Sequence, residues 1–213
     1  MNKNKILIFT DLDGSILDRD TFKFDKIKGY INDLLSQGIH IIPNSSKTEK
    51  EILDFNQELG FNLPFISENG SVIHSLDFLH PNLPNKIVLS REKEELIKIF
   101  KDKVPEYLKE KCKLISEMDK KKQMEIFGLT KNKLKNALDR KYTSPFIFEG
   151  NKIEKNKLSR ILKVSSLTLQ EGGRVLNLCD NVNKVKSMNR VTRIYKKIES
   201  NIKVIAVGDN HND

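Results

Sequence analysis

Near its start the chain reads Ile6-Leu7-Ile8-Phe9-Thr10-Asp11-Leu12-Asp13-Gly14, an apolar run that ends on two aspartates. A continuous apolar run followed by Asp and Gly predicts a strand buried on both faces and then a turn. Two other apolar runs, at 39–42 and 203–207, also end in polar residues, at Ser45 and at Asp209. The recurring pattern predicts several buried strands whose polar ends lie in loops.

Helical segments separate these predicted strands. Residues 24–37 and 47–59 read as helices closed by Gly38 and Gly60, and residues 65–67 read as a third strand. Strands that alternate with helices predict a parallel sheet with right-handed crossovers.

The pattern changes near residues 81–84, where the chain becomes more polar and rich in lysine. The predicted helices of this middle part are residues 92–103, 131–140 and 154–163. Its predicted strands are residues 146–149, 166–170 and 174–179, the last two joined by a Gly172-Gly173 hairpin signal. The α/β pattern resumes with a helix at 184–199. We therefore predict an α/β fold: a Rossmann-like parallel-sheet core (1–82 and 183–213) with an inserted α+β cap domain (83–182).

Composition narrows the possible partners. The chain has 213 residues and a net charge of +9, but its basic residues are scattered over every predicted helix, so we expect no nucleic-acid partner. The charge could instead attract an anionic substrate. Cys112 and Cys179 lack metal-ligand spacing, and no apolar run approaches the ~20 residues of a membrane span. We expect a cytoplasmic protein with reduced thiols, no membrane partner and an oligomeric state that the sequence does not specify.

Candidate site residues fall at the predicted strand ends, where open parallel sheets bind ligands. Asp11 and Asp13 are two residues apart, which places both on one face of an extended chain, and paired carboxylates suit Mg²⁺. Ser45 could offer its hydroxyl and backbone N–H to a phosphate, or simply cap a helix. Lys184 could neutralise phosphate charge or be a solvated lysine. Each Asp motif could equally be a plain turn.

The set of motifs resembles the haloacid dehalogenase-like phosphatases. The matching residues are Asp11-Leu12-Asp13-Gly14-Ser15, Ser45, Lys184 and the run from Gly208 to Asp213. Within that superfamily the chain is most similar to the mannosyl-3-phosphoglycerate phosphatases, through residues 45–48, 64–70, 140–145 and 172–174. Ser144 stands where that group usually has Glu, and Val185 where it usually has Gly.

The resemblance implies a mechanism. Asp11 would attack phosphorus and form an aspartyl-phosphate, and Asp13 would protonate the leaving alkoxide and then activate water. Ser45 and Lys184 would bind the phosphoryl oxygens. Mg²⁺ would be the cofactor, with ligands from Asp11, Asp13, Asp209 and Asp213 and support from Asn212.

The resemblance also implies a substrate that carries a sugar, a carboxylate and a phosphate, a glycosyl-3-phosphoglycerate with mannose as the first choice. The product, mannosylglycerate, would be a compatible solute. Arg140 and Arg174 are candidate substrate-binding residues, because arginine recognises carboxylates well. Lys47 is a third candidate, since it could reach toward the phosphate or the glycerate. The alternatives are a glucosyl-3-phosphoglycerate or general sugar-phosphate phosphatase, and an inactive remnant that binds a phosphosugar. Because the family pattern continues beyond Asp213, we expect a C-terminally truncated form.

Overall fold

The computed structural model describes residues 5–172 and 174–209, and its chain divides into two compact units. The core unit comprises Met1–Leu89 and Asn183–Asp213, and the inserted unit comprises Ser90–Val182. The longest helix has 13 residues, and no helix in the described ranges is long and apolar enough to cross a membrane.

Strands and helices alternate through much of the chain. The strands are β1 (Lys5–Thr10), β2 (His40–Pro43), β3 (Phe65–Ser67), β4 (Val72–His74), β5 (Lys86–Val88), β6 (Cys112–Leu114), β7 (Thr143–Phe148), β8 (Leu167–Glu171), β9 (Leu176–Asp180) and β10 (Ile202–Val207). The helices are α1 (Asp25–Ser36), α2 (Glu49–Leu59), α3 (Lys93–Lys103), α4 (Glu106–Lys109), α5 (Lys120–Phe127), α6 (Lys131–Ala137), α7 (Lys152–Val164) and α8 (Lys184–Tyr195). Short 3₁₀ turns occupy Glu68–Gly70, Leu76–Phe78 and Ile115–Glu117.

The core unit is built on parallel pairing around β1. Leu7 pairs with Val204 of β10 on one side and with His40 of β2 on the other. An isolated parallel bridge between Asn44 and Ile66 then brings β3 beside the end of β2. The central position of β1 explains its continuous apolar run, because both of its faces are covered. This confirms the predicted α/β fold with a parallel sheet.

Two apolar clusters form the interior of the core unit. One contains β1, β2, β3, β4 and α8 side chains, among them Leu7, Phe9, Ile42, Ile66, Ile73, Val191 and Tyr195. The other joins α1 and α2 to the strands, and includes Ile31, Ile52, Phe55 and Leu59 of the helices, Ile41 of β2 and Phe65 of β3. Successive residues of β2, Ile41 and Ile42, enter different clusters, so the two clusters take side chains from opposite faces of the strand.

Local signals define the helix ends near the site. Thr48 caps α2 and forms a capping box with Glu51: the Glu51 N–H donates to Thr48 Oγ1, and the Thr48 N–H donates to the Glu51 carboxylate. At the other end Gly60 adopts a left-handed conformation with φ +87°. These two residues explain why α2 begins two residues later than predicted and ends where Gly60 was expected to close it.

The inserted unit contains one antiparallel sheet in the order β6-β7-β9-β8. β8 and β9 pair from Leu167–Asp180 to Glu171–Leu176, which confirms the predicted hairpin. α3 and α7 pack on the sheet through an apolar cluster that includes Leu96, Phe100, Phe146, Leu158, Leu162 and Leu178. Both cysteines are free and buried in this unit, and burial raises the pKa of Cys112 to about 12, so its thiol stays protonated.

Several sequence predictions need correction. The core unit extends to Leu89 rather than ending at residue 82, because β5 pairs with β4 at Val88 and Val72. β4, β5 and β6 were not predicted, and each has only three residues, too short for a periodic pattern. α4 was not predicted either, because its four residues are also too short for a periodic pattern. α5 was missed as well. The helices predicted at 131–140 and 184–199 end earlier, at Ala137 and Tyr195, and the strand predicted at 146–149 begins at Thr143.

Candidate active site

The polar residues that follow the core strands lie at one edge of the sheet. The backbone N–H of Asp11 donates to the carbonyl of Val207 in β10 at 3.0 Å. The backbone N–H of Ser45 donates to the carbonyl of Ile66 in β3, also at 3.0 Å. The backbone pairing therefore continues one residue past β1 and two residues past β2, and it brings these loops together at the carboxyl ends of the strands.

Lys184 and Asp11 form a buried ion pair at this edge. Lys184 is the first residue of α8, whose N-cap, Asn183, accepts the Lys186 N–H with its side chain. Lys184 Nζ lies 2.9 Å from Asp11 Oδ1, and the two side chains are only 3% and 9% exposed. Burying two charges is costly unless each offsets the other, so this pair marks a candidate functional position.

Asp13 makes a second ion pair, with Lys47. Lys47 Nζ lies 2.9 Å from Asp13 Oδ1 and 3.7 Å from Glu51 Oε1, and it stands 5.1 Å from the ring centroid of Phe22. The Asp13 side chain is 37% exposed, whereas the Asp11 side chain is nearly covered. Of the two aspartates, Asp13 is therefore the more open to solvent, and the sequence did not predict its pairing with Lys47.

Asp209 lies against the loop that carries Asp13. This loop closes tightly, since Leu17 donates to the Leu12 carbonyl at 2.7 Å and Gly14 donates to the Leu17 carbonyl at 2.8 Å. Gly14 has φ +82°, and a Cβ placed there would approach the Asp209 Cγ to 2.9 Å. A glycine is needed at this position both for its backbone conformation and for the space that the Asp209 carboxylate occupies. Asn212 and Asp213, also predicted for this site, lie outside the described residues.

The structure rules out one of the two roles that the sequence allowed for Ser45. It does not cap a helix, because the N-cap of α2 is Thr48. Its backbone N–H is already bonded to Ile66, so only the hydroxyl could reach a phosphate, and the hydroxyl oxygen accepts the Lys47 N–H at 3.3 Å. Ser45 is also completely buried.

The two candidate arginines belong to the inserted unit and bind parts of that unit. Arg140 is buried, and it donates from Nε to the Ala137 carbonyl at 3.1 Å and from Nη1 to Thr143 Oγ1 at 3.0 Å. Arg174 is exposed and donates to the Phe127 carbonyl. Arg140 thus joins α6 to β7, while the more accessible guanidinium is that of Arg174. Their role in substrate binding stays a prediction.

The donor atoms near Asp11 fit a hard divalent cation. Within residues 5–172 and 174–209 no group of three His, Cys, Asp or Glu side chains is placed to hold a metal. The predicted ligands Asp11 and Asp209 and the main-chain carbonyl of Asp13 offer oxygen atoms only, and Mg²⁺ prefers oxygen ligands and often binds only one or two carboxylates. Their role as metal ligands stays a prediction. Because Gly14 has no Cβ, the Asp209 carboxylate can lie against the loop that carries Asp13, as these ligand roles require.

Sequence reasoning missed Asn44, which precedes Ser45. Asn44 is buried, and its Nδ2 donates to the backbone carbonyl of Lys184 at 3.2 Å. It lines a small pocket together with Asp11 and Lys184. The available signal was its position at a predicted strand end, but no pattern in the sequence relates it to a residue so far along the chain.

Comparison with known proteins assigns the chain to a protein family. Residues 8–213 match the haloacid dehalogenase-like hydrolase family, and the chain belongs to that family. A glucosyl-3-phosphoglycerate/mannosyl-3-phosphoglycerate phosphatase of Persephonella marina is 29% identical over 221 residues, which cover 98% of this chain and 80% of the relative. A mannosyl-3-phosphoglycerate phosphatase of Pyrococcus horikoshii is also 29% identical, over 97% of this chain and 84% of the relative.

A solved structure supports the fold independently. A protein of Thermoplasma acidophilum superposes with a TM-score of 0.68 at 15% identity, covering 99% of this chain and 80% of that protein. The family and its curated relatives together support a phosphatase, which confirms the class of enzyme expected from the motifs.

Proposed function

We propose that this chain is a Mg²⁺-dependent phosphatase that removes the phosphate of a glycosyl-3-phosphoglycerate through an aspartyl-phosphate on Asp11. The observation that carries the proposal is the buried pair of Asp11 with Lys184 at the carboxyl edge of the sheet, beside the more exposed Asp13. A nucleophilic carboxylate, a compensating cation and an accessible acid–base group are what phosphoryl transfer to an enzyme side chain requires.

Asp11 and Lys184 would act on the phosphoryl group. One carboxylate oxygen of Asp11 attacks phosphorus and forms an acyl phosphate while the bond from phosphorus to the ester oxygen breaks. Lys184, which now balances the Asp11 charge at 2.9 Å, is placed to bind the oxygens of the transferred group as negative charge spreads over them.

Asp13 would act as the general acid in the first step and as the general base in the second. In the first step it gives a proton to the departing ester oxygen. In the second step it takes a proton from the water whose oxygen attacks phosphorus, and Asp11 and inorganic phosphate are released. The exposed position of Asp13 suits a group that must meet both the leaving group and water. Asp13 must therefore be protonated when the substrate binds, and Lys47 would pair with its carboxylate once that proton has been given to the leaving group.

Asp11, Asp209 and the Asp13 carbonyl would hold Mg²⁺, with Asp213 and Asn212 as further candidates. When bound, Mg²⁺ would offset the repulsion between an anionic carboxylate and an anionic phosphate. Ser45 would donate its hydroxyl hydrogen to a phosphoryl oxygen. Because Ser45 is fully buried, this contact requires the adjacent segment to open when the substrate binds.

The inserted unit would act as the cap that selects the substrate. The names of the curated relatives support a phosphoglycerate that carries mannose or glucose. We propose mannosyl-3-phosphoglycerate as the first substrate to test. The glucosyl compound is the second candidate, because one relative is named for both. Arg174 is the more accessible candidate for the glycerate carboxylate, and Arg140 is the second.

Two free, buried cysteines support a reducing compartment, and we propose that the reaction takes place in the cytoplasm on a small, phosphorylated substrate.

Phosphate release from a panel of esters tests this proposal. The panel contains mannosyl- and glucosyl-3-phosphoglycerate, mannose 6-phosphate, glucose 6-phosphate and 3-phosphoglycerate, each with Mg²⁺ and with excess chelator. We expect the highest kcat/KM for the two glycosyl-3-phosphoglycerates and no turnover with chelator. Equal kcat/KM for the hexose phosphates would leave a general phosphatase and reject the substrate assignment. No turnover of any ester would favour the phosphosugar-binding remnant.

A further inference from the structure

The turn Glu68–Gly70, between β3 and β4, has an unusual backbone. Three consecutive residues have positive φ, +47° at Glu68, +61° at Asn69 and +94° at Gly70. A left-handed conformation is costly for residues with a Cβ, and such a conformation persists only where the surrounding structure enforces it. All three residues are buried, which is unusual for a connecting turn.

Helix α8 packs directly on this turn. Ser187, which is fully buried, donates from Oγ to the Gly70 carbonyl at 2.6 Å. A Cβ at Gly70 would lie 2.5 Å from the carbonyl carbon of Asn183 and 2.9 Å from Ser187 Oγ. Asn183 is the N-cap of α8 and precedes Lys184, so any side chain at Gly70 would push on the residue that begins the helix.

The opposite side of the turn is bonded to the segment that carries Ser45 and Lys47. The Asn69 N–H donates to the Ser45 carbonyl at 3.0 Å, and the Glu68 N–H donates to the Lys47 carbonyl at 2.8 Å. One three-residue turn thus contacts both the loop after β2 and the first turn of α8.

We propose that the turn Glu68–Gly70 is a positioning element that sets Lys184 Nζ against Asp11 by fixing the start of α8. Lys184 is held at its backbone by Asn44, and the helix that carries it is held at Asn183 and Ser187 by Gly70. The catalytic consequence rests on the proposed phosphatase function, while the geometric claim concerns only the Lys184 site.

The first test compares two glycine substitutions with similar backbone strain. Gly70 has φ +94° and crowded surroundings, whereas Gly60 has φ +87° and nothing within 4 Å of the position that a Cβ would take. Gly70→Ala should lower kcat/KM about 100-fold, because a misplacement of about 1 Å in a catalytic group has effects of that size. Gly60→Ala should lower the melting temperature and leave kcat/KM nearly unchanged. Equal activity losses in the two variants would overturn the proposal.

The second test remains decisive if Gly70→Ala does not fold. The affinity for inorganic phosphate is measured by calorimetry, with Mg²⁺, in wild type, Ser187→Ala, Lys184→Met and the double variant. A positioning role predicts that Ser187→Ala weakens phosphate binding about tenfold in wild type and has no further effect once Lys184 is absent. Additive losses, or no loss in Ser187→Ala, would contradict it.

The two tests separate this inference from the proposed function. Phosphate affinity reports the Lys184 site even in a protein that hydrolyses no ester. Coupled losses without any turnover would reject the proposed activity and retain the positioning role. Turnover of phosphoglycerate esters with uncoupled losses would retain the proposed activity and reject the positioning role.

Discussion

The core unit and the inserted unit use their charged side chains in different ways. In the core unit, Lys184 pairs with Asp11 from a position near the other end of the chain, and both side chains are buried. In the inserted unit the best-defined ion pair joins Arg91 and Asp180, which lie at the two ends of that unit. Arg91 meets both carboxylate oxygens of Asp180, at 2.9 Å and 2.7 Å, and also donates to the Ser166 carbonyl.

From this difference we infer that the core-unit pair is the candidate for chemistry and the inserted-unit pair a structural contact. The Arg91–Asp180 pair is a bidentate fork that fastens two chain segments, a geometry typical of structural ion pairs. The Lys184–Asp11 pair joins the tips of two buried side chains at the end of a sheet, where ligands bind. We therefore expect substitutions in the core unit to affect turnover and substitutions in the inserted unit to affect stability and substrate choice.

The largest effect should come from Asp11. Asp11→Asn removes the proposed nucleophile, so turnover should fall by at least about four orders of magnitude, as expected when an essential catalytic group is lost. The side chain remains similar in size, so circular dichroism should show an intact fold. Asp33→Asn, at an exposed position of α1, is the control and should retain full activity. Substantial turnover by purified Asp11→Asn would refute the mechanism.

A smaller effect should appear at the proposed metal ligands. Mg²⁺ at about 100 times its Kd should stabilise wild type by about 2.7 kcal/mol, as expected for a ligand that binds only the folded state. Asp209→Asn should lose most of this stabilisation and require more Mg²⁺ for half-maximal activity. Chemical unfolding across a Mg²⁺ titration measures the stabilisation, and phosphate release across the same titration measures the Mg²⁺ needed for half-maximal activity. If Asp209→Asn responds to Mg²⁺ as wild type does, Asp209 is not a ligand.

Substitutions of the two arginines of the inserted unit should have different effects, one on substrate preference and the other on stability. Arg174→Ala should reduce the preference for glycosyl-3-phosphoglycerates over hexose phosphates about tenfold, a typical loss for one charge-assisted hydrogen bond to a carboxylate. Arg140→Ala should instead lower the melting temperature, because its bonds to Ala137 and Thr143 are lost. The ratio of kcat/KM values and thermal unfolding measure these outcomes. An unchanged ratio in Arg174→Ala would remove it from the substrate site.

The smallest effect on turnover is expected at the Arg91–Asp180 pair, where the prediction concerns stability. Burial would raise the pKa of the Asp180 carboxyl, but hydrogen bonds from Arg91 and from backbone N–H groups outweigh it and lower the pKa. Because the folded-state pKa is lowered, the stabilisation is present above the unfolded-state pKa of about 3.9 and is lost as the pH falls through the folded-state pKa. Arg91→Ala should therefore cost about 1.5–3 kcal/mol at pH 7, the usual range for bonds to charged groups, and less at pH 3.

Lys155→Ala is the control for that prediction. Lys155 pairs with Glu171 within the inserted unit, but the Glu171 side chain is 69% exposed. Its loss should cost less than about 1 kcal/mol, as for other surface pairs. Urea unfolding of both variants at the two pH values decides the matter, and a cost for Arg91→Ala that does not depend on pH would show that the fork is not its source.

Much of the fold could be predicted because its signals are local. The apolar runs of β1 and β2 reflect burial on both faces, and Gly38 and Gly60 mark helix ends through their left-handed backbone. The similar run of β10 forms the expected parallel strand, but the expectation that this strand is buried was wrong: residues 203–207 are exposed. β3 also has three residues, but it continues the predicted alternation of strands and helices. β4, β5 and β6 lack that context and are too short to show a period, and their pairing depends on partners elsewhere in the chain.

For the site, the sequence by itself determined the kinds of groups and the strand ends that carry them: Asp11 and Asp13 after β1, Ser45 after β2, Lys184 at the start of α8 and Asp209 after β10. Short apolar runs and turn residues are enough for that, because they act through neighbours in the chain. Only the tertiary structure decided that Lys184 pairs with Asp11, that Lys47 pairs with Asp13 and that Gly70 supports the start of α8. These contacts join residues far apart in sequence, and they form only when packing of the sheet and helices brings their backbones together.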